Sequence, residues 1–562
     1  MANFDISGAR FNEQLRMLET TDPVHADLMN AMFGQLIKND VAMRDAVSVF
    51  AKTKNEQALF LLNLRRTGKR YGVHFDAYSV SPASTGTRLY DAVGKVATPS
   101  TDSVRGINDF EGESVFYGLE VNGYVDADGE FVVQYIKGID NEFSRTDEDK
   151  DVYMLYLTQW IQMEVTATGE NIILSDENHP GSFPEGAAIR PDKSVRPFVP
   201  IAKYMAWDDS SGIPHSIGGK TVNHNQSHNG MITRFRKKGT QYCGTTAQDK
   251  AHMDNLFMVA FATRHTQSIM AGCTSYSAQY AATVQESGVE RIIVSKSQAA
   301  YFVVGSVVSI GNPTSLTDEG TPNIDRGISG MHAKANRVLI TAIEEYDESN
   351  SAIYVDNGGT TFSTASSMIS DSVEAKTYIS TMPWRTGTCD TVLGSCGSPV
   401  SNTNGKYPYI LFGVEMFLGF YEVISNVIMK ITNHVMTPQI CYDCTKLATS
   451  VTEDYVPVGY SVADTDATWK YISKLGYDPD NPCVRHGVEV NASSSTGYAD
   501  GQYTNDLDAT SDATREWLSG GGLYNGASAG RFSAAPDFAL SGAYWYFAAR
   551  LSASGRCAQS AA

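Results

Sequence analysis

Residues 517–550 combine clustered glycines with a run of four aromatic residues, and this segment constrains the fold more than any other. Three consecutive glycines, residues 520–522, are followed by the turn dipeptide Asn525-Gly526. Glycine adopts positive φ angles without a steric penalty, so these residues favour a loop over a helix. The sequence therefore predicts an irregular and exposed loop in this segment.

The aromatic run from Tyr544 to Phe547 predicts a short strand. Successive side chains of a strand point to opposite faces, so Tyr544 and Tyr546 would share one face and Trp545 and Phe547 the other. We expect the tyrosine face to be exposed, because tyrosine offers a large and stiff contact area at little cost in rotamer entropy. A strand that is buried on both faces is the alternative, since a short apolar run fits both.

The glycine-rich loop and the aromatic run together resemble a known family. The segment is similar to the variable segment of C-type-lectin-fold phage tropism determinants, which are diversified by retroelements and bind receptors. Leu523 departs from the family, which usually has tryptophan at this position. The resemblance is carried by a frame of Gly520, Gly521, Asn525, Gly526, Ala527, Ala529, Gly530, Phe532, Trp545 and Arg550.

This resemblance implies a phage receptor-binding protein that presents a variable C-terminal face and makes or breaks no bond. The implied partner is a host-cell surface receptor, a protein or a glycan, bound with avidity by several copies. No cofactor and no metal is expected. Trp545, Phe547 and Arg550 are expected to form the scaffold. The residues expected to contact the receptor are Tyr524, Ser528, Arg531, Phe538, Tyr544 and Tyr546.

Composition and charge exclude several classes of protein. The formal net charge of −19 argues against a nucleic-acid partner, because phosphate groups would repel such a surface. Residues 1–6 have neither the basic nor the apolar part of a secretory signal. The most apolar stretch, residues 407–429, contains Glu415 and Glu422 and is too charged for a membrane span. We expect a virion protein, in a tail or surface fibre, that is made in the cytoplasm of the bacterial host.

Changes of pattern along the 562 residues predict a multidomain α+β protein. Residues 1–70 have a helical pattern, and we assign them to attachment to other virion proteins or to oligomerisation, with a trimer favoured. Packing within the chain would cover their apolar stripe equally well. Residues 71–197 predict a β-rich domain. Residues 198–275 and 376–562 resemble a discontinuous C-type-lectin-fold domain, and residues 276–375 an inserted small β-barrel or sandwich. A separate domain in series is the alternative for this last block.

Local patterns predict individual elements inside these regions. Residues 121–125 and 131–136 flank a turn-rich connection and predict a hairpin. Residues 245–248 form a capping box that begins an amphipathic helix. Residues 491–512 are rich in Ser, Thr, Gly and Asp and predict a long surface loop. The strands predicted inside the inserted block are residues 291–295, 301–310, 337–343 and 352–355.

Two groups of residues have spacings that occur at metal sites. Cys441 and Cys444 form a CxxC pair, but a second such pair is absent, so we interpret the cysteines as packed thiols. His215, His224 and His228 lie in a stretch rich in Gly and Asn, and we interpret them as exposed loop histidines rather than ligands.

Catalytic motifs are missing from the sequence. It contains no Gly-x-Ser-x-Gly elbow, no His-Glu-x-x-His and no phosphate-binding loop. It also lacks the matching cysteine pair of formylglycine-type enzymes, whose fold the resemblance shares, so we predict that the protein is not an enzyme. A structural virion component, such as a head fibre or a capsid decoration, is the competing hypothesis, and a relative of formylglycine-type enzymes is the third.

Overall fold

The computed structural model describes residues 52–314, 330–400 and 402–559. The chain divides into two compact units, residues 1–64 and 65–562.

The described part of the first unit, residues 52–64, contains the helix α1 (Lys54–Asn63). The Thr53 side chain accepts a hydrogen bond from the Glu56 backbone, and the Glu56 side chain accepts one from the Thr53 backbone, which completes a capping box. The rest of the predicted helical attachment region, residues 1–51, lies outside the described residues.

The second unit is β-rich, with few helices in its described part. Its α-helices there are α2 (His228–Phe235), α3 (Ala247–Phe261) and α4 (Lys296–Ala299). Its strands up to residue 215 are β1 (Arg70–Asp76), β2 (Thr87–Tyr90), β3 (Leu119–Val125), β4 (Phe131–Ile136), β5 (Val152–Leu157), β6 (Trp160–Val165), β7 (Gly169–Ser175), β8 (Phe183–Pro184), β9 (Phe198–Ala202), β10 (Trp207–Asp208) and β11 (Pro214–His215).

Further strands follow in two blocks. Between residues 243 and 382 they are β12 (Cys243–Gly244), β13 (Gln279–Ala281), β14 (Arg291–Ser295), β15 (Val307–Gly311), β16 (Ala335–Glu345), β17 (Asn350–Asp356), β18 (Ser367–Ser370), β19 (Val373–Ala375) and β20 (Tyr378–Met382). From residue 409 they are β21 (Tyr409–Leu411), β22 (Val414–Met416), β23 (Tyr421–Thr432), β24 (Val435–Ile440), β25 (Val456–Pro457), β26 (Lys470–Tyr471), β27 (Lys474–Leu475), β28 (Gly487–Glu489), β29 (Gly501–Gln502), β30 (Asp512–Gly520), β31 (Gly530–Ala535), β32 (Phe547–Ala548) and β33 (Leu551–Ser552).

Residues 71–197 contribute to two sheets, with strand orders β2-β1-β7-β6-β8 and β4-β3-β5-β9. The predicted hairpin forms between β3 and β4, which pair antiparallel from Val121 opposite Ile136 to Val125 opposite Phe131. Every residue of β5 is buried, because its sheet packs against protein on both faces. The β-rich character predicted for this region is confirmed.

Residues 279–382 supply a sheet of six strands in the order β13-β20-β15-β16-β17-β14. It has its own core, which includes Ile292, Val308 and Ile353. The predicted strands are present, although the second begins only at Val307, because residues 301–306 contain turns. Within the described residues the sheet is open, so the barrel form of the prediction is wrong.

The largest sheet has the order β25-β24-β23-β30-β31-β29-β26, and β32 pairs parallel with β23. Its core includes Ile424, Val427 and Trp517, and α3 contacts β23. The helix α3 is confirmed, but it is buried around almost its whole circumference and is not amphipathic.

The cap of α3 also differs from the prediction by one residue. Thr246, not Thr245, is the N-cap, and its partner in the capping box is Asp249. The Thr245 hydroxyl instead donates to Glu422 Oε2 at 3.1 Å and accepts from the Arg550 backbone at 2.9 Å. Tertiary contacts therefore decide which of the two adjacent threonines caps the helix.

The segment 491–512 is only partly the surface loop that its composition predicts. Tyr498, Asp500 and Thr504 are buried. Asp500 Oδ2 accepts hydrogen bonds from the Phe532 backbone at 2.9 Å and from the Thr266 hydroxyl at 3.2 Å. The prediction from composition is wrong for these residues, because polar side chains can lie in a core when hydrogen bonds hold them there, as they do for Asp500 Oδ2. Asp500 Oδ1 is buried without a hydrogen-bond partner among the described residues.

Candidate functional site

The predicted glycine-rich loop connects β30 to β31. It contains residues 521–525 and the single 3₁₀ turn Gly526–Ser528, and Gly520 and Gly526 have φ values of 96° and 51°. Asn525 Oδ1 accepts from the Gly522 backbone at 2.7 Å, and the Gly526 backbone donates to Thr274 O at 2.8 Å. The irregular loop is confirmed, and Tyr524 is exposed. Gly521, Gly522 and Leu523 are buried, however, so the exposure predicted for the whole loop is wrong.

The aromatic run is a turn, so the strand predicted for it is wrong up to Tyr546. The Phe547 backbone N–H donates to Tyr544 O at 3.0 Å, which occupies a carbonyl that a strand would offer to its neighbour. The strand β32 begins only at Phe547. The predicted separation of faces holds only in part. Tyr544 is 38% exposed, Trp545 is 4% exposed and Phe547 is fully buried, but Tyr546 is half-buried and packs against the core cluster that contains Trp545.

Four of the six residues expected to contact a receptor come together. Tyr524, Phe538, Tyr544 and Tyr546 form a contiguous group that we call the aromatic face. The Tyr544 and Tyr546 rings stack with centroids 5.6 Å apart, and Tyr524 meets Tyr546 edge-on at 5.3 Å. Phe538 meets Tyr544 edge-on at 4.9 Å. Tyr524 and Tyr544 are the most exposed of the four, at 46% and 38%.

A buried foundation supports the aromatic face. The Phe547 ring lies 5.0 Å from Phe538 and 4.9 Å from Tyr546, centroid to centroid. Trp545 packs into a core cluster with Trp384 and Leu523. Leu523 is fully buried there, so an aliphatic side chain fills the position at which the resembled family usually has tryptophan.

Arg531 is not part of the aromatic face. It is 5% exposed, and its Nη2 lies 2.6 Å from Asp254 Oδ1. Ser528 is half-buried in the turn after the loop, where its backbone N–H donates to Asn525 O at 3.0 Å. Arg550 is buried as expected for a scaffold residue, with Nη2 3.1 Å from Glu422 Oε1.

Two carboxyl groups next to the aromatic face escaped the sequence reasoning. Glu516 is fully buried in β30, and its backbone N–H donates to Phe538 O at 3.0 Å. Glu516 Oε2 accepts from the His228 backbone at 2.9 Å. Within the described residues, Glu516 Oε1 and Asp537 Oδ1 are buried without a hydrogen-bond partner. Burial raises the pKa of Asp537 to about 6 and that of Glu516 well above its usual range.

The three histidines of the metal-like group do not converge on one site. His215 Nδ1 lies 3.3 Å from Asp151 Oδ1, whereas His224 is next to Arg337. The interpretation as exposed loop histidines is wrong for all three. His215 lies in β11 and is mostly buried, and His224 is half-buried. His228 is fully buried as the first residue of α2, which Ser227 caps.

The eight cysteines are all buried thiols, which agrees with the interpretation of packed thiols. Cys444 lies beside Cys243 rather than pairing with Cys441 as a ligand, and its hydrogen bond together with burial raises the pKa of the Cys243 thiol. In the described part of the chain, one group of three acidic residues, Asp464, Asp506 and Asp508, has oxygens within 4.8 Å of one another. Exposed carboxylates often cluster in this way without an ion.

No protein-family model matches the sequence, and no curated protein matches it significantly. No helix in the described ranges is both long enough and apolar enough to cross a membrane.

The aromatic face and its neighbours offer three kinds of interaction. Its rings offer apolar area, its phenol groups offer hydrogen bonds, and the adjacent carboxyls offer negative charge. Such a combination is suited to binding.

Proposed function

We propose that this chain is a virion protein of a bacterial virus, and that the aromatic face binds a receptor on the host-cell surface. The observation that carries the proposal is the exposure of Tyr524 and Tyr544 above a fully buried foundation. Aromatic residues, tyrosine above all, are enriched where proteins recognise partners, because they bury much area with few rotatable bonds. Most exposed surfaces carry charged groups instead.

The lectin-type fold is part of the same proposal. Residues 198–275 and 376–562 would form one C-type-lectin-fold domain around the inserted sheet. Two features support this arrangement: β12 pairs with β33, and α3 packs against β23, so the two segments share both hydrogen bonds and a core. The N-terminal region would attach the protein to other virion proteins, and a trimer would multiply the affinity of a single face.

A structural role in the virion is the second candidate function, and one observation favours it. Val93, Val104 and Ile107 are 66%, 65% and 60% exposed, and Leu393 and Val400 are also exposed. Backbone hydrogen bonds join the two segments that carry them, for example Ser100 N to Cys396 O at 2.9 Å. Exposed apolar groups of this kind fit packing against a neighbouring chain.

Adsorption of the purified chain to candidate host cells tests the proposal. A variant with Tyr524 and Tyr544 changed to Ala should lose adsorption while keeping its melting temperature. The matched control changes two tyrosines outside the face that are similarly exposed, Tyr90 and Tyr301. Loss in the first variant alone supports receptor binding at the aromatic face. Equal adsorption of all forms, or adsorption by none, would favour the structural role.

A further inference from the structure

We infer that the receptor group held by the aromatic face is a cation of the alkylammonium type, with its charge matched by Asp537. This inference rests on the proposed function, and it adds the chemical class of the group that is recognised.

The carboxyl groups beside the face supply the first observation. Glu516 is fully buried, and its Oε1 has no hydrogen-bond partner among the described residues. A Cβ atom placed on Gly542 would lie 3.8 Å from this oxygen, so the oxygen lies directly beneath the loop that carries Tyr544. Asp537 Oδ1 is buried without a partner as well. Two carboxyl oxygens are therefore left without donors next to exposed aromatic rings.

A buried carboxyl oxygen without a donor is unfavourable unless a proton or a cation reaches it. Burial, and secondarily the charge of Asp537, raise the pKa of Glu516, which favours its neutral, protonated form. Burial raises the pKa of Asp537 only to about 6, so Asp537 is mostly ionised there. The charge available to a ligand is therefore that of Asp537.

No basic group in the described structure forms an ion pair with Asp537. Arg515 attracts it from β30, but the Arg515 Nε donates to Asn505 Oδ1 at 2.5 Å and makes no ion pair with Asp537 in the described structure. Tyr421 and Tyr524 have phenol groups whose pKa is raised, by burial first and also by Asp537, so they stay neutral. Burial lowers the pKa of His228, beside Glu516, to about 4, and His228 is neutral too.

The rings supply the second observation. The face of an aromatic ring attracts cations, and groups of rings with a nearby anion bind ammonium groups. Tyr524 is perpendicular to Tyr546, with 85° between the ring planes, so the rings present faces in two directions. An anionic ligand would be repelled by Asp537, and a neutral one would leave its charge unpaired. The net charge of −19 also attracts cations over longer distances.

Small probes test this inference on the full chain. Ligand-observed NMR would compare n-butylammonium with n-butanol, and choline with its neutral isostere 3,3-dimethyl-1-butanol, at constant ionic strength. The first pair stands for a lysine side chain and the second for a choline headgroup, so the result also separates those two sources. At least one cation should bind about tenfold more tightly than its neutral counterpart.

The variant Asp537→Asn should weaken binding of that cation about tenfold, because it removes the charge and keeps the shape. Asp128→Asn, in an exposed turn, is the matched control and should bind like the wild type. Binding to the wild type should also fall between about pH 7.5 and about pH 5, as Asp537 is protonated; this measurement needs no variant. Equal binding of charged and neutral probes, or unchanged binding by Asp537→Asn, would overturn the inference.

Adsorption to cells distinguishes failure of the proposed receptor binding from failure of the inferred cationic ligand. Loss of adsorption in both the tyrosine variant and Asp537→Asn would support both. If the tyrosine variant loses adsorption and Asp537→Asn adsorbs normally, receptor binding by the aromatic face is supported. The inference that the bound group is a cation paired with Asp537 is then refuted. If adsorption is independent of the tyrosines, the proposed function fails and the inference fails with it.

Discussion

The guanidinium of Arg531 is bound to the carboxylate of Asp254, with Nε 2.8 Å and Nη2 2.6 Å from the same oxygen, Oδ1. The other oxygen, Oδ2, lies 2.5 Å from Lys250 Nζ. One carboxylate on α3 thus holds two cations inside the protein and joins the helix to β31. Arg531 was expected to contact a receptor, but it is buried and joins two elements of the scaffold.

Removing Asp254 should be severely destabilising. Asp254→Ala would leave Arg531 and Lys250 buried without their shared counter-ion, and breaking a buried pair in this way costs about 3–5 kcal/mol. Urea unfolding measures the change. The control is Glu489→Ala, which breaks an exposed pair with Lys474 and should change stability by less than about 1 kcal/mol. Similar losses in both variants would contradict a special role for Asp254.

Neighbouring residues of the aromatic run should respond in opposite ways to truncation. Trp545→Ala removes a ring from a buried cluster and should lower the free energy of unfolding by about 3–5 kcal/mol. Tyr544→Ala removes an exposed ring and should keep the melting temperature while weakening adsorption. Calorimetry together with cell adsorption checks both. A large drop in melting temperature for Tyr544→Ala would show that the tyrosine belongs to the core.

Acid should destabilise the protein through its buried histidines. Burial lowers the pKa of His486 to about 3 and that of His228 to about 4. An unfolded histidine has a pKa of about 6.5, so the unfolded state binds more protons below that value and stability falls as the pH drops from about 6.5 to about 4. His486→Leu should flatten this fall, as measured by urea unfolding at several pH values.

The control for this prediction is the partly exposed His74→Gln, which should follow the wild type. The variant must be compared with the wild type, because Glu415 changes the stability with pH in the opposite direction to the histidines. Burial raises its pKa to about 7, so its contribution favours folding at low pH and is lost as the pH rises from about 4.5 to about 7. A slope that is equal in wild type and His486→Leu would refute the assignment to His486.

The cysteines should be unreactive in the native protein. All eight are buried, and burial raises the pKa of the Cys483 and Cys557 thiols to about 12. Only the thiolate reacts with a disulfide reagent. Titration with a coloured aromatic disulfide should therefore detect hardly any thiol in buffer and all eight in denaturant. Fast reaction of one thiol in buffer would show that its surroundings open.

Patterns with a period of two or with strong turn residues predicted the fold well. The β3–β4 hairpin, four of the six strands of the six-stranded sheet and the glycine-rich loop lie close to where the sequence indicated, because each depends on neighbouring residues. The strands β13 and β20 were not predicted, and β15 is shorter than predicted. The cap of α3 was missed by one residue, since Thr245 is recruited by Glu422, which is 177 positions away. The buried part of residues 491–512 was missed for the same reason.

In the candidate site, too, features that depend on neighbouring residues were predicted, and features that depend on distant residues were not. The exposure of Tyr544 and the burial of Trp545 and Phe547 were predicted from their order in the run, although a turn rather than a strand produces the arrangement. The roles of Arg531 and Asp537 were not predicted. Their surroundings are set by α3 and β30, and nothing in the local sequence of either residue reports a partner so far along the chain.

Backbone hydrogen bonds fix the segments that carry the aromatic face. The Tyr421 N–H donates to Tyr546 O at 2.9 Å, Phe547 N to Tyr544 O at 3.0 Å, and Gly526 N to Thr274 O at 2.8 Å. These bonds do not depend on which side chains point outward at positions 524, 544 and 546. Substitution at those positions should therefore change the chemistry of the aromatic face while these backbone hydrogen bonds are kept.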